Sequence, residues 1–339
     1  MSETEETPPE VTETTASGPR SNEVINAAAR RNFKRTFGSE FLPEVVRSGW
    51  YKDWDRKNNP HRPYQSQTWR VSNPERYQII GLLGSGAKAV VYEATDTKTG
   101  ELVAAKIIDQ SLLGEIPGMP YSIGEGEATA QFDLIDDPRV VAIKEFFVVD
   151  SLAEGPKAVI VMEKVAGDYR SLQERIEAND LTSSDAQKVI NDLCQFVDDM
   201  QARPEKVIHR DLKPGNILYS PKDPIKITDF GYAGSANELK PETFVGTPGY
   251  ASPEVVTKGQ YGYASEIYAA GVTAKAILTG QMVPAMGILS EQDLLPQFRN
   301  KVDLKKLNFA LTKALAPNPT VRPQTAMEFA KEFEAAFTA

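Results

Sequence analysis

From Tyr77 the apolar positions fall on the period of two expected of half-buried strands. They run YQIIGLLGSG, then AVVYEATD, then, after a KTG turn, ELVAAKIID. Three short strands separated by Gly-bearing turns predict an antiparallel meander. Two more apolar segments, Val140–Val149 and Ala158–Met162, predict further strands. After Lys164 the period lengthens. Ser183–Gln201 carries a helical stripe through Ile190, Leu193, Cys194 and Val197, with Ser183 or Ser184 as its N-cap. Glu266–Thr279 reads as a second helix, stopped by Gly280, and a last one from about Gln324 to Phe337 repeats Phe329, Phe333 and Phe337. Strands first and helices afterwards predict an α+β chain of two lobes with a cleft between them.

The 75 residues before this pattern are of another kind. Residues 1–20 are Thr-, Glu- and Pro-rich with almost nothing to bury, which predicts a disordered acidic tail. Residues 21–75 form an extension. In it Val24, Ile25, Ala28, Ala29, Phe33 and Phe37 recur at helical spacing around Arg30, Arg31, Lys34 and Arg35, as an amphipathic helix docked on the domain or lying on a membrane surface would require. All three tryptophans, Trp50, Trp54 and Trp69, follow within residues 41–75. Aromatics of that size are costly to leave in water, so this stretch is expected to pack on the following domain or to dock a partner.

Composition narrows the classes. The chain has 339 residues, 41% of them hydrophobic, enough for two lobes and a tail, and no apolar run approaches the ~20 residues of a membrane helix. The start MSETEETPPE resembles no secretory or transit segment, which implies a cytoplasmic protein. A net charge of −9 argues against nucleic acid as the main partner. One cysteine and two histidines make a structural zinc site improbable, and Cys194, on an apolar stripe, reads as core.

The chemistry concentrates in VIHRDLKPGNIL, Val207–Leu218, a polar turn pinned between apolar ends. Such a turn can bring an acceptor carboxylate (Asp211), a cation two residues on (Lys213) and an amide oxygen (Asn216) to one cleft. Those are the parts that phosphoryl transfer needs: a group to orient a hydroxyl, a positive charge for the moving phosphoryl, and a metal ligand. A polar surface loop ahead of a helix is the plainer alternative.

HRDLKPGN resembles the catalytic loop of eukaryotic-type (Hanks-type) protein kinases, and the Lys two after the Asp is the Ser/Thr pattern. The look of DLKPGNIL and GTPGYASPE suits bacterial members of that family. The resemblance covers about Tyr77 to Phe337. It implies a bilobal protein-kinase fold over 76–338, with a small antiparallel lobe at about 76–164 and a helical lobe at about 165–338. It also implies ATP and Mg²⁺ as cofactors and protein substrates as partners.

Other motifs follow in family order. Gly84-Ser-Gly86-Ala-Lys-Ala89-Val-Val91 resembles the Gly-rich loop, with Ala89 in place of a third glycine. Glycines there let backbone N–H groups approach phosphate. It is no P-loop, because Ala87 precedes Lys88 and no Ser or Thr follows. Lys106, amid Val103, Ala104 and Ala105, is a strand cation that wants an anion. By resemblance it binds phosphates and pairs with Glu127, Glu125 being the alternative. Met162, Glu163 and Val165 resemble the adenine hinge, with Val91, Ala104 and Leu218 packing on the ring. Asp229 of Lys226-Ile-Thr-Asp-Phe-Gly, eighteen residues after Asp211, matches the metal-binding carboxylate and would share Mg²⁺ with Asn216. Glu254 is expected to pair with Arg322. Glu266 stands where the family has Asp, which puts the support of the catalytic loop in question. Arg210 beside Asp211 could meet a phosphate on Thr243, and Thr247 is expected near Asp211 and Lys213.

The expected function is therefore an ATP-dependent Ser/Thr protein kinase, with autophosphorylation in the segment 232–247. A pseudokinase scaffold is the rival from another class, and it would show loss of Lys106, Asp211, Asn216 or Asp229, all of which are present. A small-molecule kinase of related fold would not need GTPGYASPE. A secreted bacterial effector kinase is a further alternative, suited by the Ser/Thr-rich start.

Overall fold

A computed structural model describes residues 76–338 apart from 87–88, 110–126, 128–129, 132–133, 135, 152–154, 205 and 236–243. The whole tryptophan-bearing extension, Glu125 and Thr243 lie outside the described residues.

The first lobe is one antiparallel sheet of β1 (Tyr77–Ser85), β2 (Ala89–Asp96), β3 (Leu102–Asp109), β4 (Ile143–Ser151) and β5 (Gly155–Glu163), in the order β1-β2-β3-β5-β4. Alternation sorts its side chains into two apolar layers. Tyr77, Ile79, Val103, Ala105, Ile107, Phe147, Val159 and Val161 fill one. Ala104, Ile108, Ile143, Ile160 and Met162 fill the other, the one against which Val91, Val165 and Leu218 pack. At the sheet's entry the Arg76 guanidinium bridges Asp96 (2.8 Å) and Glu145 (3.0 Å).

The second lobe is built on helices. A strand β6 (Arg170–Ser171) leads into α1 (Leu172–Glu177) and then α2 (Ser183–Ala202). The cap of α2 is Thr182, not Ser183 or Ser184. Its hydroxyl accepts from the N–H of Asp185, whose carboxylate returns to the Thr182 N–H, a reciprocal pair that the neighbouring serines cannot form from inside the helix. Short strands β7 (Val207–Ile208), β8 (Ile217–Tyr219), β9 (Lys226–Ile227) and β10 (Gly234–Ser235) frame the cleft, and a 3₁₀ turn, Pro214–Asn216, sits between β7 and β8. Then come α3 (Pro253–Lys258), α4 (Tyr263–Thr279), α5 (Leu304–Ala314) and α6 (Ala326–Glu334).

The central helix α4 is buried from Ser265 to Leu278, which is why its sequence is apolar on nearly every face. It starts three residues before the Glu266 boundary that the pattern predicts. The strands β4 and β5 likewise run from Ile143 and Gly155, not from Val140 and Ala158. The last helix ends at Glu334, short of Phe337. Phe337 instead bridges Val302 through its backbone while its ring meets Phe333 edge-on at 5.2 Å, so the four-residue aromatic spacing outlasts the helix. Cys194 is fully buried in the core of this lobe, where burial pushes its thiol up. No helix among the described residues is long and apolar enough to cross a membrane.

Candidate active site

Lys106 lies two residues from Ala104 on β3, so it faces the same layer as the cleft. Its ammonium meets both carboxylate oxygens of Glu127 at 2.7 and 2.8 Å, and Asp229 Oδ1 at 2.8 Å. Glu127, Ala130 and Gln131 are helical, and Gln131 anchors this turn by donating to the Val141 carbonyl at 2.7 Å. Sequence reasoning missed Gln131, because one amide after a Gly-rich stretch carries no signal of its own. Burial works against the Lys106 charge, but the two carboxylates outweigh it and raise its pKa. Burial likewise pushes the Glu127 carboxyl up to about 7 against the pull of Lys106. Asp229 is opposed by burial too, yet Lys106 holds it below the usual carboxylate range, and its side chain remains 41% exposed toward the cleft.

The polar turn between β7 and β8 is shaped from below. His209 is fully buried against Phe230, their ring centroids 4.7 Å apart, and burial lowers its pKa. Its Nδ1 accepts the Asp211 N–H at 3.3 Å and its Nε2 lies 3.2 Å from the Thr228 carbonyl, so the neutral Nε2–H tautomer satisfies both contacts. Arg210 and Asp229 both adopt a positive φ, +67° and +65°, an uncommon conformation for residues with a Cβ. Glu266, in the first turn of α4, holds the first of these in place. Its two oxygens accept the backbone N–H groups of His209 (3.2 Å) and Arg210 (3.1 Å). The longer carboxylate therefore still supports the loop.

Above this support, Asp211 is the centre of a compact set of bonds. Asn216 Nδ2 donates to its carbonyl (2.8 Å) and its Oδ2 (3.2 Å), and Lys213 Nζ donates to Oδ2 at 2.9 Å. The Thr247 hydroxyl donates to Oδ1 at 2.7 Å while accepting from Lys213 Nζ at 2.6 Å. The close approach is permitted by Gly246, at φ +102°, where a Cβ would come within 2.6 Å of the Arg210 carbonyl. Tyr261 fixes the same segment, accepting from the Val245 N–H (2.6 Å) and donating to its carbonyl (2.7 Å). Arg210 itself is buried, its Nη1 donating to the Tyr232 carbonyl at 3.0 Å and its guanidinium 5.6 Å from the Tyr261 ring centre.

The remaining candidates come together as follows. Val91, Ala104, Met162, Val165 and Leu218 share one apolar cluster. Gly84 and Gly86 stand at the open edge of the β1–β2 turn. Neither needs a positive φ, and a Cβ at Gly84 would meet nothing within 4 Å, so internal packing does not account for glycine there. Glu163 spends its carboxylate on Lys226 (2.6 Å) and the Ala142 N–H (3.0 Å). Glu254 and Arg322 form a bidentate pair, both bonds 2.7 Å, with the Arg322 side chain fully buried.

An antiparallel lobe and a helical lobe, with a strand lysine ion-paired to Glu127 and Asp229 and an asparagine bonded to Asp211, define a kinase-type phosphotransferase scaffold. Residues 77–333 match the protein kinase domain family, and the chain belongs to it, in the Hanks-type Ser/Thr branch. CBL-interacting serine/threonine-protein kinase 15 of Arabidopsis thaliana is 30% identical over 264 residues, 74% of this chain and 59% of that protein. CBL-interacting protein kinase 16 of Oryza sativa subsp. japonica is 33% identical over 210 residues, 60% of this chain and 44% of the relative. A bacterial relative, the probable serine/threonine-protein kinase PknB of Lactococcus lactis subsp. lactis, is 32% identical over 247 residues, 71% and 37% of the two chains. The chain spans about half the length of the curated relatives it matches.

Proposed function

We propose that this chain is an active Ser/Thr protein kinase that transfers the γ-phosphoryl group of ATP to hydroxyls of proteins. The observation that carries the proposal is the hydroxyl of Thr247, held at 2.7 Å by the Asp211 carboxylate and at 2.6 Å by the Lys213 ammonium. The loop thus binds a hydroxyl between a proton acceptor and a cation, the arrangement that attack on phosphorus requires. In the proposed reaction Asp211 accepts the substrate hydroxyl proton as the new O–P bond forms and the bond to the β-phosphate oxygen breaks, and ADP leaves. Lys213 offsets the charge of the moving phosphoryl. Lys106, oriented by Glu127, would hold the other phosphates. The backbone at Gly84 and Gly86 would approach them from above, and the apolar cluster of Val91, Ala104, Met162, Val165 and Leu218 would receive the adenine, with backbone groups of Glu163 and Val165 beside it.

The donor set fits Mg²⁺. Asn216 uses its Nδ2 on Asp211, leaving Oδ1 as an acceptor, and Asp229 presents a half-exposed carboxylate. Among the described residues no cluster of three or more His, Cys, Asp or Glu could cage a metal unaided, which suits an ion that also takes phosphate and water oxygens. Bound there, Mg²⁺ would supply neutralisation of phosphate charge.

The proposal extends to regulation and place. A phosphate on Thr243 would compete with the Tyr232 carbonyl for Arg210, and Thr247 is a second acceptor. Use of ATP puts the protein in a cytoplasm, its own or that of a host entered as a secreted effector. Residues 41–75 are the candidate docking segment, for the small lobe or for a partner. The deciding test is transfer from labelled ATP to a mixed protein acceptor by the wild type and by Asp211→Asn. Label transferred by the wild type alone supports the kinase. Nucleotide binding without transfer by either would instead make it a pseudokinase scaffold.

A further inference from the structure

The chain that follows Glu127 and Gln131 runs into the second lobe, where Leu134 and Val140 are buried in the core. Between them Asp137 donates its N–H to the Leu134 carbonyl, and its own carbonyl accepts from Val140, both at 3.0 Å. The Arg139 carbonyl and the Val141 N–H then clasp Ile227 of β9 at 2.6 and 3.0 Å, two residues before Asp229. This turn therefore connects Glu127 with the strand of Asp229, and those are the two carboxylates that hold Lys106. Between the turn and the end of α2 lies a groove of about 550 Å³.

Its lining mixes apolar and anionic groups. Pro138, Ala202 and Pro204 stand there with Asp136 and Asp199, whose side chains are 73 and 45% exposed. The groove's own arginines are engaged within it. Arg139 meets Asp137 (2.8 Å) and Asp199 (2.6 Å) over the Phe196 ring, and Arg203 meets Asp136 (2.9 Å). The negative end of α2 adds to the exposed carboxylates, and its last turn carries no cation to offset it. Such a groove suits an apolar ring with a positive group beside it.

Residues 56–74 have that chemistry. They hold Arg56, Lys57, Arg62 and Arg70 and no carboxylate, in a chain of net charge −9, and Trp69 stands beside Arg70. The length fits as well. The extension joins the domain at Arg76, whose guanidinium meets Glu145 on β4 at 3.0 Å. Arg139 is six residues from Glu145, no more than about 20 Å along the chain. Seven residues lead from Trp69 to Arg76, and they reach about 25 Å when extended.

We infer that residues 56–74 of this chain dock in the groove, with the Trp69 ring on Pro138 and Ala202 and the Arg62 and Arg70 guanidinium groups on Asp136 and Asp199. This gives the docking proposed for residues 41–75 a place, and only its effect on activity rests on the kinase reading. Seated there, the segment holds the turn that carries Glu127, and so supports the Lys106 pair and ATP binding. A free partner of the same chemistry would compete with a segment tethered beside the groove at a roughly millimolar effective concentration. The chain's own segment is therefore the better occupant.

The test uses the full chain with Trp50→Phe and Trp54→Phe, so that Trp69 alone reports. Its emission should be blue-shifted and weakly quenched by acrylamide. Asp136→Lys with Asp199→Lys should move the emission to the red. Adding Arg62→Glu and Arg70→Glu to that chain should move it back, which also shows the reversed groove to be folded. Thr68→Cys with Ala202→Cys should give a disulfide within one chain on oxidation, Cys194 being buried. The KM for ATP should rise roughly three- to tenfold in the double lysine variant and recover in the charge-swapped one, as the competent fraction falls and returns. A Trp69 that is exposed in the parent chain, or protected but indifferent to the lysines, overturns the inference. A disulfide found only between chains assigns the groove to a second copy and overturns it too, as does protection that appears only when another protein is added. A KM that stays put while Trp69 is released overturns the link to Glu127. A chain that docks as described but transfers no phosphoryl group strikes at the kinase reading alone, because fluorescence and cross-linking judge the docking without turnover.

Discussion

The carboxylate of Glu266 accepts the backbone N–H of Arg210 at 3.1 Å and so holds that residue in its left-handed conformation, one position before Asp211. The same carboxylate takes the His209 N–H. Burial pushes Glu266 up to about 7, against both N–H groups and the Arg210 charge. A folded-state pKa above the unfolded value near 4.5 means the native protein keeps a proton that the unfolded chain releases. The stabilisation is complete below about 4.5 and is lost as pH rises through about 7. Urea titrations between these values should therefore show wild type losing stability relative to Glu266→Gln as pH rises. A difference that grows in the opposite sense would show the carboxylate to be ionised throughout. Glu266→Ala, which orphans two buried N–H groups, should cost about 1–3 kcal/mol for each at any pH.

Thr247 and Asp211 separate chemistry from scaffolding. Asp211→Asn should lower the transfer rate by roughly 10²- to 10⁴-fold with little change in Tm, because an amide cannot take the hydroxyl proton. Thr247→Val keeps the shape and removes two hydrogen bonds to the pair. It should reduce kcat by roughly five- to thirtyfold, in keeping with about 1 kcal/mol for each lost bond. Single-turnover kinetics measures both. An Asp211→Asn protein that transfers at near wild-type rate would falsify the role proposed for it.

Glu127→Gln leaves Lys106 with Asp229 as its one carboxylate partner among the described residues. The ammonium should then swing toward Asp229 and away from the phosphate-binding position proposed for it. The expected result is a fall in kcat/KM for ATP of roughly tenfold or more, the equivalent of about 1.4 kcal/mol. Binding of a fluorescent ATP analogue with and without Mg²⁺ provides a check independent of turnover. Unchanged affinity and rate would remove the ion pair from the proposed site.

The Glu254–Arg322 pair tests the helical lobe. Removing Glu254 strands a fully buried guanidinium, so Glu254→Ala should destabilise the protein by about 3–5 kcal/mol in urea unfolding. Burial opposes the Glu254 charge, but the bonds from Arg322 hold its pKa below the usual range. The contribution is therefore present above the unfolded value near 4.5 and is lost as pH falls through the lower folded one. Glu254→Ala should flatten the acid arm of the stability curve.

The sequence alone determined the element types, the order of the two lobes and the identity of the polar residues in the cleft. These depend on local periodicity and on motifs whose spacing survives in one dimension. Lys106 could be recognised as a cation needing an anion, and Asp211, Asn216 and Asp229 as the candidates for phosphoryl transfer, before any distance was known. The contact of Lys106 with Glu127, which the sequence put ahead of Glu125 only by resemblance, the grip of Glu266 on two backbone N–H groups and the clamp of Tyr261 on Val245 became visible only in the tertiary structure. Each joins groups at least sixteen residues apart, and no local pattern reports such a contact. The cap of α2 fell to Thr182 because a cap is a matter of φ and ψ at one residue, which three adjacent hydroxyl-bearing residues leave open. Lys275 shows the limit most plainly. In one dimension it is a polar interruption of an apolar helix, and only the returning loop, with two carbonyl oxygens ten and twelve residues away, gives its buried charge a purpose.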